Sequence, residues 1–309
     1  MEKASKAQPR QQIAVSWAGL LNLFVIYVVW GSTYLAIRVA VRQGAGFPPF
    51  ALATSRVLIA GSILMLWSAI SRQRIKPTKR EFVLLVVSGV LLWFGGNGLV
   101  SWAEQRTASG LTALIIGSTP IWVAGIEAVV DRRPPSWILV VSLLIGFAGI
   151  GLLSAPVLID GVRADMLSVI GLLLAALSWG SGSLLQSRNP VTLAPTVSSA
   201  YQHLCGGVAL GLTALLRHEP LPTPTAAAWT AWGYLVIIGS VFAFTSFVRA
   251  LRLLPTSLVM TYAYVNPVIA VILGWAILHE SITGWTIAGS ALVLIGVAGV
   301  FRARSTSPR

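Results

Sequence analysis

Acidic residues are what this chain most lacks. Asp and Glu number nine in 309 residues, and all charged types together make up 10%. A water-facing surface needs about 25% charged residues, so a chain this poor in charge is not a soluble globule. Only one cysteine is present, Cys205, which excludes an internal disulfide; it lies in an apolar run and says nothing about redox. A secretory leader is not expected, because a mostly polar stretch of sixteen residues precedes the first apolar run and no small-residue cleavage site follows a short apolar core.

What is present is apolar. Hydrophobic residues make up 56% of the chain and the mean hydropathy is +0.81. Windows of about 20 apolar residues, the length that crosses a bilayer, follow one another along nearly the whole sequence. The reading is an all-α polytopic membrane protein with ten transmembrane helices near 17–40, 48–70, 81–102, 107–130, 135–157, 166–187, 194–216, 226–248, 255–278 and 283–301. The linkers, such as "SRQRIKPTKR" and "DRRPPS", leave no room for a soluble domain. Residues 1–16 and 303–309 read as polar, disordered cytoplasmic tails.

The net charge of +13 would suggest a nucleic-acid partner in a soluble protein. Here the basic residues sit in short loops between spans, where topology explains them. With both termini inside, sixteen Lys and Arg fall on the cytoplasmic side, against four outside, Arg42, Arg106, Arg163 and Arg217. That imbalance favours cytoplasmic termini.

The chain also repeats itself. Trp30-Gly31-Ser32 returns as Trp179-Gly180-Ser181, Pro49 as Pro195, Pro120 as Pro267, and "LIGFAG" at 144–149 as "LIGVAG" at 294–299, always about 146–150 positions later. Order and spacing together indicate duplication, with a first unit at 17–157 and a second at 166–302. Five helices per unit is an odd number, so the second unit must enter the membrane inverted. Inverted repeats are the architecture of many secondary transporters, whose substrate site lies at the repeat interface near the midplane. Trp-Gly-Ser falls midway along the first helix of each unit. It reads either as pathway lining or as a small-residue packing seam.

The stretches "WGSTYLAIRVA", "PPFALATSRVLIAG", "WAEQRTASGLTALIIGSTPIWVA" and "LPTSLVMTYAYVNPVIAVILGWAILHESIT" carry a resemblance to the ten-helix, EamA-type permeases of the drug/metabolite transporter superfamily. It extends over about 17–302. The resemblance implies two inverted five-helix units in a bacterial inner membrane, a central cavity lined mainly by helices 1, 3, 4, 6, 8 and 9, and export of small metabolites, often amino acids. The chain departs from the family in "DRRPP", where relatives often have Gly-Glu; only Glu280 keeps such an acid.

The substrate-contacting residues expected are Trp30, Ser32, Thr33, Asn97, Ser118, Thr119, Trp122, Trp179, Ser181, Tyr262, Tyr264 and Asn266. The hydroxyls and amides offer hydrogen bonds inside the membrane, and aromatic faces attract an ammonium group. "WFGGNGLV" puts Asn97 among three glycines that weaken its helix. Pro120 and Pro267 are expected helix breaks, each freeing a carbonyl one turn back. Those carbonyls either face a wet cavity or are satisfied by neighbouring hydroxyls.

Charges inside the membrane need an account of their own. Arg56 reads either as a gate or carboxylate anchor, or as a structural arginine bonded to carbonyls or paired with Glu104; helix 2 is not implied to line the cavity. Glu104 and Glu127 are the acids that keep proton coupling open, since no carboxylate falls at mid-depth on the cavity helices. His203 reads as a satisfied bundle histidine.

Enzymatic readings fail on residue placement. Asp131, Asp160 and Asp165 lie in or beside loops, His-Glu-x-x-His is absent, and "WGSGS" lacks the glycine a Gly-x-Ser-Gly site requires. Neither a cofactor nor a metal is expected. The partners expected are the bilayer and a small-molecule substrate, with no nucleic acid, and a monomer is compatible with this architecture. Few deep charges suit small zwitterions better than phosphorylated anions. The expected function is export of amino acids, aromatic and hydroxylated ones included, by alternating access; the alternative is efflux of amphipathic drugs or purine-like metabolites.

Overall fold

The computed structural model describes residues 16–41, 44–103, 109–159, 166–278 and 282–306, and every regular element among them is helical. They form α1 (Trp17–Val41), α2 (Pro49–Ile70), α3 (Lys79–Ala103), α4 in two pieces (Ser109–Ile116 and Thr119–Asp131), α5 (Trp137–Ile159), α6 (Met166–Arg188), α7 (Pro195–Leu216), α8 (Ala226–Leu253), α9 in two pieces (Thr256–Val259 and Tyr262–Leu278) and α10 (Gly284–Thr306). By length and composition, eight of these are candidate spans, and α1 contributes a shorter apolar helix, Trp17–Thr33. The exception is α7. Its buried face carries Thr196, Ser198, Ser199, Gln202 and His203, and so many polar groups depress its hydropathy.

Local chemistry sets the helix ends. Pro49 and Pro195 open α2 and α7 at the first turn, where a missing N–H removes no hydrogen bond. Thr78 and Glu81 close a reciprocal capping box at the start of α3, and Thr225 accepts from the Ala228 N–H at the start of α8. The turns after α2 and α7 pass through left-handed residues, Arg72 and His218, both at φ 51.

Two stretches depart from α geometry. Val90–Gly98 in α3 and Leu235–Phe242 in α8 are π-helical. In α3 the glycines at 95, 96 and 98 accept this widened winding without steric strain. The π stretches, the left-handed residues and the threonine caps each recur about 145–147 positions apart.

The packing is reciprocal between the halves. α1 packs on α8 and α9, and α6 packs on α3 and α4; α2 pairs with α7, and α5 with α10. Exchanging each helix for its counterpart five places along reproduces this pattern. Phe244, Phe247, Trp93, Leu23 and Ile26 lie fully buried in the core between the halves. Trp17, Trp67, Trp137 and Trp285 stand exposed near helix ends, as an interfacial belt requires.

Two expectations change. α10 continues to Thr306 with Ala303 buried, so residues 303–306 are helix and not disordered tail. In α4 the interruption falls at Gly117–Ser118, with Pro120 in the first turn of the second piece, where a proline break was expected. In α9 it falls between Val259 and Tyr262, and Pro267 lies inside the continuous second piece. Pro267 therefore removes one hydrogen bond without breaking its helix.

Candidate functional site

A cavity of about 90 Å³ opens where α1, α2, α3, α4, α6 and α9 meet. α1 contributes Trp30, Thr33 and Ile37, and α3 contributes Trp93, Gly96, Asn97 and Val100. These follow the i, i+3, i+4, i+7 spacing of one helix face. α6 adds Ala175, Ala176 and Trp179, α9 adds Tyr262 and Asn266, and α4 adds Ile116 and Thr119. α2 supplies a single wall residue, Arg56. Among the described residues the wall takes Arg56 from α2, which the resemblance did not imply, and none from α8, which it did.

α8 instead supports the wall from behind. Its Gly239 carbonyl accepts the Trp30 indole N–H at 3.1 Å, and Ser240 Oγ accepts Arg56 Nε at 2.8 Å. Both residues lie in the π-helical stretch.

Aromatic rings form much of the wall. Trp30 stands edge to face with Trp179 and Tyr262, at 5.6 and 4.9 Å between centroids. Trp93 lies 6.4 Å from Trp179, with the Arg56 guanidinium 5.5 Å from its ring centre. Asn266 orients its amide so that nitrogen donates to the carbonyls of Tyr27 at 3.2 Å and Tyr262 at 3.1 Å. Its oxygen is then the group left to accept. Thr33 and Thr119 each donate to a carbonyl three residues back, on Trp30 and Ile116. The Ile116 carbonyl is the one Pro120 frees, so a neighbouring hydroxyl satisfies it and not a ligand.

Of the residues expected from sequence, the cavity gathers Trp30, Thr33, Asn97, Thr119, Trp179, Tyr262 and Asn266, together with Arg56. Five others lie elsewhere. Ser32 Oγ donates to the Val29 carbonyl and bonds Tyr234 Oη at 2.5 Å, tying α1 to α8. Ser118 Oγ donates to the Ile115 carbonyl and accepts from the Trp122 indole. Trp122 is exposed, because Thr119 and Val123 occupy the inward face of α4. Ser181 is half-buried outside the wall. Tyr264, fully buried, donates to the Leu143 carbonyl at 3.0 Å and so packs α9 on α5.

Glu127 lies half-buried near Arg188, whose guanidinium holds Asp131 through two bonds of 2.5 and 2.7 Å, away from the cavity. Glu104, Glu280, Asp160 and Asp165 are outside the described residues. His203 Nδ1 meets the Ser199 carbonyl at 2.7 Å, while Nε2 has no hydrogen-bond partner among the described residues, so the expectation of a satisfied histidine is met there at one nitrogen only. Wall residues not singled out from sequence include Ile37, Gly96, Val100, Ile116, Ala175 and Ala176. Helical spacing from Trp30, Asn97 and Trp179 was the signal that could have found them.

Fold and site together define a polytopic helical membrane protein with a small central cavity walled by both halves of the chain. The model of the EamA-like transporter family matches residues 17–155 and 166–302, and the chain belongs to that family of transporters. An Escherichia coli K12 protein described as the uncharacterized inner membrane transporter YedA is 31% identical over 265 residues, spanning 84% of this chain and 83% of its own. The uncharacterized transporter YoaV of Bacillus subtilis is 23% identical over 283 residues, spanning 90% and 94%. A solved crystal structure at 20% identity superposes with a TM-score of 0.77, covering 93% of this chain and 98% of that one. That likeness is one of fold.

Proposed function

We propose that this transporter is a secondary carrier exporting small zwitterionic metabolites, amino acids foremost, by alternating access. The units 17–157 and 166–302 act as inverted repeats in an inner membrane, with both termini in the cytoplasm. The reciprocal helix packing and the recurring π stretches support the duplication, and the inner-membrane designation of YedA supports the location.

The observation that carries the substrate reading is the cavity's chemistry. Its described wall combines aromatic faces, two threonine hydroxyls, two asparagine amides and one cation. The hydroxyls, amides and one cation of this wall suit a small zwitterion better than an amphipathic drug. Trp30, Trp179 and Tyr262 offer π faces to an ammonium group.

The test is uptake by proteoliposomes of labelled amino acids, a purine and a cationic drug, with and without an imposed pH gradient. Saturable uptake of amino acids with no uptake of the drug supports the reading. Uptake of the drug or purine alone overturns it.

A further inference from the structure

The geometry points to Arg56 as the anchor for a substrate carboxylate, which makes one carboxylate a requirement for binding in this cavity. The inference deepens the carrier reading above, and its first test does not depend on that reading.

Arg56 is buried on α2 and reaches the cavity wall. A guanidinium offers five N–H donors. One of them, on Nε, goes to Ser240 Oγ, and Cζ lies over the neutral ring of Trp93, 5.5 Å from its centre. Neither contact neutralises the charge, and no Asp or Glu stands in the described wall. Among the described residues the guanidinium has no counter-ion; a buried cation so placed is costly, and a ligand carboxylate supplies both the charge and the paired acceptors that the guanidinium fork fits.

Two further observations separate this role from a purely structural one. Gly239 leaves the room the guanidinium uses: a Cβ there would stand 3.3 Å from Arg56 Nη2 and 3.1 Å from Thr33 Cγ2. The position about 146 residues later, where Pro195 answers Pro49, holds Gln202. Gln202 Nε2 donates to Ser88 Oγ at 2.8 Å, from α7 to α3, just as Arg56 Nε donates to Ser240 from α2 to α8. A neutral amide thus makes the helix-to-helix bond in one half. The charge in the other half is surplus to that bond, and it is the charge that faces the cavity.

One arginine also limits the anion. A carboxylate carries one negative charge and matches it, while a doubly charged phosphate would leave a residual charge in a wall of neutral groups.

The test uses the purified full-length protein in lipid nanodiscs, titrated at constant ionic strength with sodium propionate and with its neutral isostere propionamide. The readout is tryptophan emission, since Trp93 lies beneath the guanidinium. Propionate should produce a saturable change, with propionamide at least about tenfold weaker. Arg56→Gln should erase that preference, and Arg56→Lys should keep it with weaker propionate binding, because an ammonium cannot form the two-pronged contact. Equal response to both probes in the native protein overturns the anchor. So does native propionate binding in Arg56→Gln. If Arg56→Gln does not fold, the native protein and Arg56→Lys decide. Uptake of an amino acid and of its carboxamide is measured alongside: propionate selectivity without amino-acid uptake sinks the amino-acid reading and leaves the anchor standing.

Discussion

Trp30 and Trp179, the leading residues of the two Trp-Gly-Ser stretches, meet edge to face with ring centroids 5.6 Å apart. A motif that recurs about 149 positions along the chain thus closes on itself at the cavity wall. Edge-to-face pairs contribute about 0.5–1.5 kcal/mol beyond area burial. A double-mutant cycle with Trp30→Leu and Trp179→Leu, read as detergent-solubilised stability, should return a coupling in that range. Additive losses would show that the two rings are independent. Trp30→Leu should also cost more than Trp179→Leu, because it alone removes the bond to the Gly239 carbonyl.

Gly31 and Ser32 have a different job from the tryptophan that precedes them. A Cβ on Gly31 would stand 2.7 Å from Ile269 Cβ on α9, and Ser32 bonds Tyr234 on α8. Gly31→Val should therefore destabilise the protein by about 1–3 kcal/mol, the scale of overpacking. Ser32→Ala should lower stability by about 0.5–1.5 kcal/mol while KM stays within about twofold. A KM rise of about tenfold in Ser32→Ala, with unchanged melting temperature, would return Ser32 to the pathway.

Topology follows from the loop charges. A reporter active only in the periplasm should be silent when fused after Arg309 and strong when inserted near Asp160. The opposite pattern would overturn both the cytoplasmic termini and the inverted arrangement.

Transport should need only the substrate gradient. The described cavity wall holds no carboxylate to carry a proton, and Glu127 lies near Arg188 and away from the cavity. Collapsing an imposed pH gradient in proteoliposomes should leave the initial rate almost unchanged. A large loss that disappears in Glu104→Gln or Glu127→Gln would establish coupling through that acid.

The sequence by itself determined the class of protein and the order of its helices. Hydropathy over about 20 residues, proline at a first turn and threonine at a cap are local signals, so they survive without any tertiary information. Repetition was legible for the same reason: Trp-Gly-Ser and the prolines keep their order whatever packs against them. Which residues face the cavity was decided only in three dimensions. Successive residues on a helix point about 100° apart, so Thr33 lines the cavity while Ser32 binds α8, and Tyr262 lines it while Tyr264 packs on α5. In a water-soluble helix the polar face would mark the outside. Here lipid and protein interior are both apolar, and no periodic pattern tells them apart. Arg56 shows this most clearly: its sequence showed a buried charge on a helix not expected at the cavity, and only the meeting of α2 with α3 and α8 brought that charge to the wall.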